Sequence, residues 1–200
     1  MASDSVLVVE TGGGSAPLKE SVSWPAIWAG AIVAVAVTVV LTLAGAGLGY
    51  SLSLSGVATR GSLTGFTPEV GAGAMVVQVL AGAIGGYLAG RLRVLWHGVH
   101  DDEAHFRDTA HGLIAWALAT LIVVLLGTLV LAPYADALSA QAAAAQVLPT
   151  PEEAQRAANI AAQSSLFMAV GLLLSAFVAA VAGRIGGMRN EQMHLRALGR

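Results

Sequence analysis

Four intervals of this chain contain no Asp, Glu, Lys or Arg: Ser21–Thr59, Val70–Gly90, Thr109–Ala135 and Ala157–Gly183. Each exceeds the roughly 20 residues that a helix needs to cross a hydrocarbon core of about 30 Å. A bilayer accepts only helices or closed β-barrels, and barrel strands alternate in polarity, which these intervals do not. The pattern predicts an all-α integral membrane four-helix bundle, with spans near Pro25–Tyr50, Gly71–Arg91, Gly112–Leu131 and Ser165–Gly186. The spans frame a transmembrane domain over 23–187, between a flexible tail at 1–22 and a C-terminal tail at 188–200. One loop, 92–111, lies on the side of the termini; loops 51–70 and 132–164 lie on the other. Thr150-Pro151-Glu152-Glu153 has the form of a capping box with a first-turn proline, so it marks a helix start at Pro151, ahead of the fourth span.

The distribution of basic residues gives the spans a direction. Lys19, Arg91, Arg93, Arg107, Arg184, Arg189, Arg196 and Arg200 fall on one side, and only Arg60 and Arg156 on the other. This asymmetry places both termini and the 92–111 loop in the cytoplasm. Trp24, Trp28 and Trp96 sit near the same ends, where an indole anchors a helix among the headgroups. The first 20 residues have no basic n-region, so no cleavable signal is expected there.

Composition agrees and narrows the function. Charged residues make up 11% of the chain against 56% hydrophobic, and the mean hydropathy is +0.74, which puts the chain in the membrane class. A net charge of −2 gives no reason to expect a nucleic-acid partner. With no cysteine, disulfides, thiolate metal sites and cysteine nucleophiles are excluded. The chain shows no nucleophile–base constellation, phosphate-binding loop or dinucleotide fingerprint, so it reads as a non-enzyme without a resident cofactor. The spans also lack the ionisable groups on which pumps and proton-coupled carriers depend.

Small residues form helical stripes. Gly82, Gly86 and Gly90 make one; Ser175, Ala179 and Gly183 a second; Gly30 and Ala34 open a third. Such stripes let helix backbones approach closely, which is how helices associate in lipid. The stripes serve the bundle itself, and one of them is available to a second copy or a larger membrane complex. The chain also repeats: Ala89-Gly90-Arg91-Leu92 aligns with Ala182-Gly183-Arg184-Ile185, and Trp28-Ala29 with Trp116-Ala117. Two hairpins of the same orientation imply a parallel repeat about an axis along the membrane normal.

The segment from His97 to His111 holds four of the five histidines. Drawn as a helix, it places its histidines and aspartates on one face and Phe106 and Ala110 on the other. His97, Asp101, His105 and Asp108 follow at i+4, i+4 and i+3, a spacing at which imidazole and carboxylate can converge on a divalent metal. The same face also suits a solvated polar surface, or a pH-sensitive one. His111, Gly112 and Trp116, at the mouth of the third span, read as a junction between loop and bundle, with the imidazole bonding across to the first hairpin.

Ser23-Trp24-Pro25-Ala26-Ile27, Gly85-Gly86-Tyr87-Leu88-Ala89-Gly90-Arg91 and Phe106-Arg107-Asp108-Thr109-Ala110-His111-Gly112 resemble a family of small bacterial four-span membrane proteins labelled YrzE-type or "PhnA-like". The resemblance covers about Ser23 to Ala119 and implies a bacterial inner-membrane location, without implying an activity. Taken together, the sequence predicts an accessory or scaffold subunit that packs in a homo-oligomer or larger membrane complex. The alternative is a small oligomeric channel or divalent-metal permease gated by its His/Asp loop.

Overall fold

The computed structural model describes residues 22–54, 68–94, 100–144, 150–197 and 199. It is built from four helices: α1 (Trp24–Leu54), α2 (Pro68–Arg91), α3 (Asp101–Ala144) and α4 (Pro151–Ala197). All four are long and apolar enough to cross a membrane, as an integral membrane protein requires.

The helix starts follow local chemistry. The Ser23 carbonyl accepts from the Ala26 and Ile27 amides, and Pro25 occupies the first turn, where a missing N–H is no loss. Pro68 opens α2 in the same way. Asp102 and Glu103 bring negative charge to the first turn of α3, at the positive end of the helix dipole. At α4 the capping box closes reciprocally: the Glu153 amide donates to Thr150 Oγ1 at 3.2 Å, and the Thr150 amide donates to Glu153 Oε2 at 2.8 Å. Thr150→Ala should destabilise this end by about 1 kcal/mol, read as faster amide hydrogen exchange in the first turn of α4.

α4 begins at Pro151, where the capping box placed its start. α3 begins at Asp101, inside the 92–111 loop, and runs past its span to Ala144. Hydrocarbon thickness limits a span; it does not end a helix. Alanine-rich sequence on either side keeps helical geometry, even through Pro133. At about 1.5 Å per residue, α3 and α4 are roughly 66 and 70 Å long, about twice a hydrocarbon core.

Side chains sort by size in a way that suits lipid. Among the described residues, the buried apolar ones are Ile27 and nine alanines, including Ala31, Ala89, Ala115, Ala119 and Ala179. Large residues point outward: Leu173 is 72% exposed, Phe177 69% and Leu121 67%. A soluble bundle would bury these; in a bilayer, acyl chains cover them and small residues bring the backbones together.

The stripes meet one another within the chain. Gly82 lies against Ser175, Gly86 against the Ala179 carbonyl and Gly90 against the Gly183 carbonyl, joining α2 to α4. Gly30 and Ala34 of α1 pack on Gly85 and Ala89 of α2. Ile27 shares a core cluster with Ala115, and Ala31 with Ala119, joining α1 to α3. α2 also packs on α3 and α3 on α4, whereas α1 and α4 make no close approach among the described residues. The eight stripe positions Gly30, Ala34, Gly82, Gly86, Gly90, Ser175, Ala179 and Gly183 are all buried inside one chain. None is left to face a second copy, so they act as internal packing surfaces.

Packing is tightest at one end. Among the described residues, buried positions run to Ala34 on α1 and Ala119 on α3 and begin at Gly171 on α4, with Gly71 of α2 buried apart from them. Beyond them the helices diverge: a side chain added at Gly45, Gly47, Gly73 or Gly127 would meet nothing. The tight end gathers Ser23, Arg93, Asp108, His111 and Asn190.

Candidate functional site

Arg93 follows directly after α2. The Leu92 amide still donates to the Leu88 carbonyl at 2.9 Å, and the chain then turns Arg93 in between α3 and α4. Its Nε faces Asp108 Oδ1, while Nη2 donates to Asp108 Oδ2 at 2.9 Å. Both side chains are fully withdrawn from solvent. Nη2 also donates to Glu191 Oε1 at 2.9 Å, and Nη1 donates to the Val94 carbonyl at 3.2 Å. Asn190 Nδ2 donates to the Arg93 carbonyl at 3.0 Å. Arg93 is therefore tied to α3 and α4 by side chain and main chain together. The planar guanidinium suits this work because it engages a carboxylate with two parallel donors and stays charged when buried.

Glycines make room for the ion pair. The Asp108 carboxylate lies where a side chain at Gly187 would sit, and the Asp108 carbonyl is 2.6 Å from the position a Gly183 Cβ would take. Gly112 completes the notch, lying against the Ala179 carbonyl and Gly183. α3 and α4 thus approach backbone to backbone, and the carboxylate rests over the last turns of α4.

His111 joins α3 to the start of α1. Its Nε2 accepts the Ser23 amide proton at 2.8 Å, and its Nδ1 is 2.7 Å from the Arg107 carbonyl. An N–H facing Nε2 requires a lone pair there, so the neutral ring carries its proton on Nδ1 and donates it to Arg107. The Ser23 amide precedes α1, and this imidazole serves as its acceptor. His111→Ala is expected to destabilise the protein by about 1–3 kcal/mol by leaving that buried amide without an acceptor, as read by thermal melting in detergent.

The residues singled out from the sequence are distributed as follows. His97 and Trp96 lie outside the described residues, as does the Asp101 side chain. His105 is half-buried, and Asp108 turns inward on Arg93. The cation facing Asp108 is thus a guanidinium, and Asp108 does not belong to a solvent-facing ligand set. Among the described residues, no three His, Asp or Glu side chains gather to hold a metal. Arg107 pairs with Glu103 one turn away at 2.7 Å, on the outer side. Of the face drawn as polar, Asp108 and His111 are buried, His105 and Arg107 half-buried and His100 exposed, while Phe106 of the other face is 69% exposed. Trp24 and Trp28 point outward at 57% and 47% exposure, as headgroup anchors do. Trp116 points inward instead, with its indole Nε1 buried.

Sequence reasoning missed Ser23, Arg93, Asn190 and Glu191. The signal for the site was present on α3: Ala104, Asp108, His111-Gly112, Ala115 and Ala119 recur at helical spacing as one line, all buried. Asp108 and His111 continue the inward face of the span, and a buried acid there demands a basic partner from a neighbouring helix end.

No protein-family model, curated protein or solved structure matches this chain.

Proposed function

We propose that the chain is a non-enzymatic, four-span accessory or scaffold protein of the bacterial inner membrane, built from two duplicated hairpins, with its ionic end in the cytoplasm. The observation that carries this reading is how the polar groups of that end are used. Arg93, Asp108, His111 and Asn190 all bond between segments of the same chain. The strongest chemistry in the protein therefore holds helix ends in register.

Orientation rests on the basic residues, eight of which fall at the ionic end or in the tails beside it. Duplication is supported by register. Ser23 meets His111, 88 residues on, and the clusters pairing Ile27 with Ala115 and Ala31 with Ala119 have the same spacing. Gly82, Gly86 and Gly90 meet Ser175, Ala179 and Gly183, each 93 residues on. These are the same registers in which the two halves align in sequence. An axis along the membrane normal brings equivalent positions face to face at equal depth. The two hairpins depart from that symmetry where α2 packs on α3 without a matching approach of α1 to α4.

With the glycine stripes consumed inside the bundle, a partner meets the outward leucine and valine faces of the diverging half, or the helical extensions beyond the spans. Purification in mild detergent followed by mass spectrometry tests this. A stoichiometric larger membrane protein is the expected result. A pure homo-oligomer that passes ions in liposomes would overturn the accessory reading in favour of a channel or metal permease.

A further inference from the structure

We propose that the cleft between α1, α2 and α3 is a binding site for one water molecule, held by Trp116, Thr120 and Gln78. The cleft lies where close packing ends, bounded by Ala34 and Ala119, and has room for about one water. Thr38, Gln78, Gly82, Trp116 and Thr120 line it.

Two buried polar atoms of residues on its wall have no hydrogen-bond partner among the described residues: Trp116 Nε1 and Thr120 Oγ1. The indole nitrogen is a donor only, so it requires an acceptor oxygen. The threonine is unusual for its setting. Thr38 and Thr109 donate to the carbonyl four residues back at 2.9 Å, and Thr128 to the carbonyl three back at 2.8 Å. Thr120 makes no such bond, although a helical carbonyl stands one turn behind it. The Gln78 main-chain carbonyl is taken by Ser175 Oγ at 2.7 Å, and Gln78 is one of the residues that line the cleft.

A buried water needs two to four polar partners and a polar, adequately sized cavity. Here it accepts from the Trp116 indole, exchanges a hydrogen bond with the Thr120 hydroxyl and donates to the Gln78 amide oxygen. α2 and α3 are thereby joined through one oxygen at the fork of the bundle. A lipid ester carbonyl offers only acceptor lone pairs, and so leaves the Gln78 oxygen unserved.

The test is proton-detected solid-state NMR of the full chain in lipid bilayers, following magnetisation transfer from water to each tryptophan indole N–H. Trp116→Phe identifies the Trp116 signal. The expected result is a water cross-peak at Trp116 that falls several-fold in Thr120→Val, while those of the outward-facing tryptophans do not change. Gln78→Leu should produce the same loss and serves if Thr120→Val does not fold. An indole that receives magnetisation only from lipid protons, or none at all, overturns the proposal.

Discussion

Arg93→Met is expected to destabilise the folded bundle by about 3–5 kcal/mol, because it leaves the Asp108 carboxylate buried without its cation. The variant keeps much of the side-chain volume, so the loss reports charge more than packing. Asp108→Leu should be milder: Arg93 then still has Glu191, at 2.9 Å, as a partner. The paired variant Arg93→Met/Asp108→Leu should be more stable than Arg93→Met alone, since no unpaired charge remains in the interior. Glu191→Gln should cost under about 1 kcal/mol, because that carboxylate is 36% exposed and its pairing is screened by solvent. Unfolding by titration of denaturing into mild detergent, with the four proteins side by side, measures the cycle. If the two single losses simply add, the ion pair is not a coupled unit and its role at the helix ends fails.

How far the sequence disclosed this architecture differs between helices and site. The four spans were legible because long uncharged runs have few physical readings. The Gly82–Gly90 and Ser175–Gly183 stripes were legible as packing surfaces, but periodicity on one helix does not say which helix it faces. The structure supplies that pairing, and it is internal. Asp108 was legible as chemistry and misread as to surroundings, whereas His111 was legible as a junction bonding across to the first hairpin, and it accepts the Ser23 amide proton there. A polar run rich in histidine and aspartate resembles a solvated surface, and what buries it lies far off in sequence: Arg93 before it, Asn190 and Glu191 some eighty residues after it. Arg93 drew attention only as a topology marker. An arginine just past a glycine-lined helix end and an aspartate on the small-residue line of the next helix are complementary, but only the folded chain brings them together.

The same geometry makes the α2–α4 contact the second sensitive point. Gly86→Ala and Gly90→Ala are each expected to destabilise by about 1–3 kcal/mol, against the trend that alanine is the better helix former by roughly 1 kcal/mol. The reason is what the added methyl meets. At Gly86 and Gly90 it runs into main-chain carbonyls of Ala179 and Gly183, which cannot rotate away. The helices must then separate, loosening Asp108 over Gly187 as well. At Gly82 the obstacle is the Ser175 hydroxyl, which can turn aside at the loss of its bond to the Gln78 carbonyl, so Gly82→Ala should be less damaging. Gly45→Ala and Gly127→Ala, where nothing lies within 4 Å, should be neutral or slightly stabilising. Thermal melting of the five variants in one detergent ranks them. A flat ranking would mean that the two helices do not meet backbone to backbone, and the bundle would then require a different register.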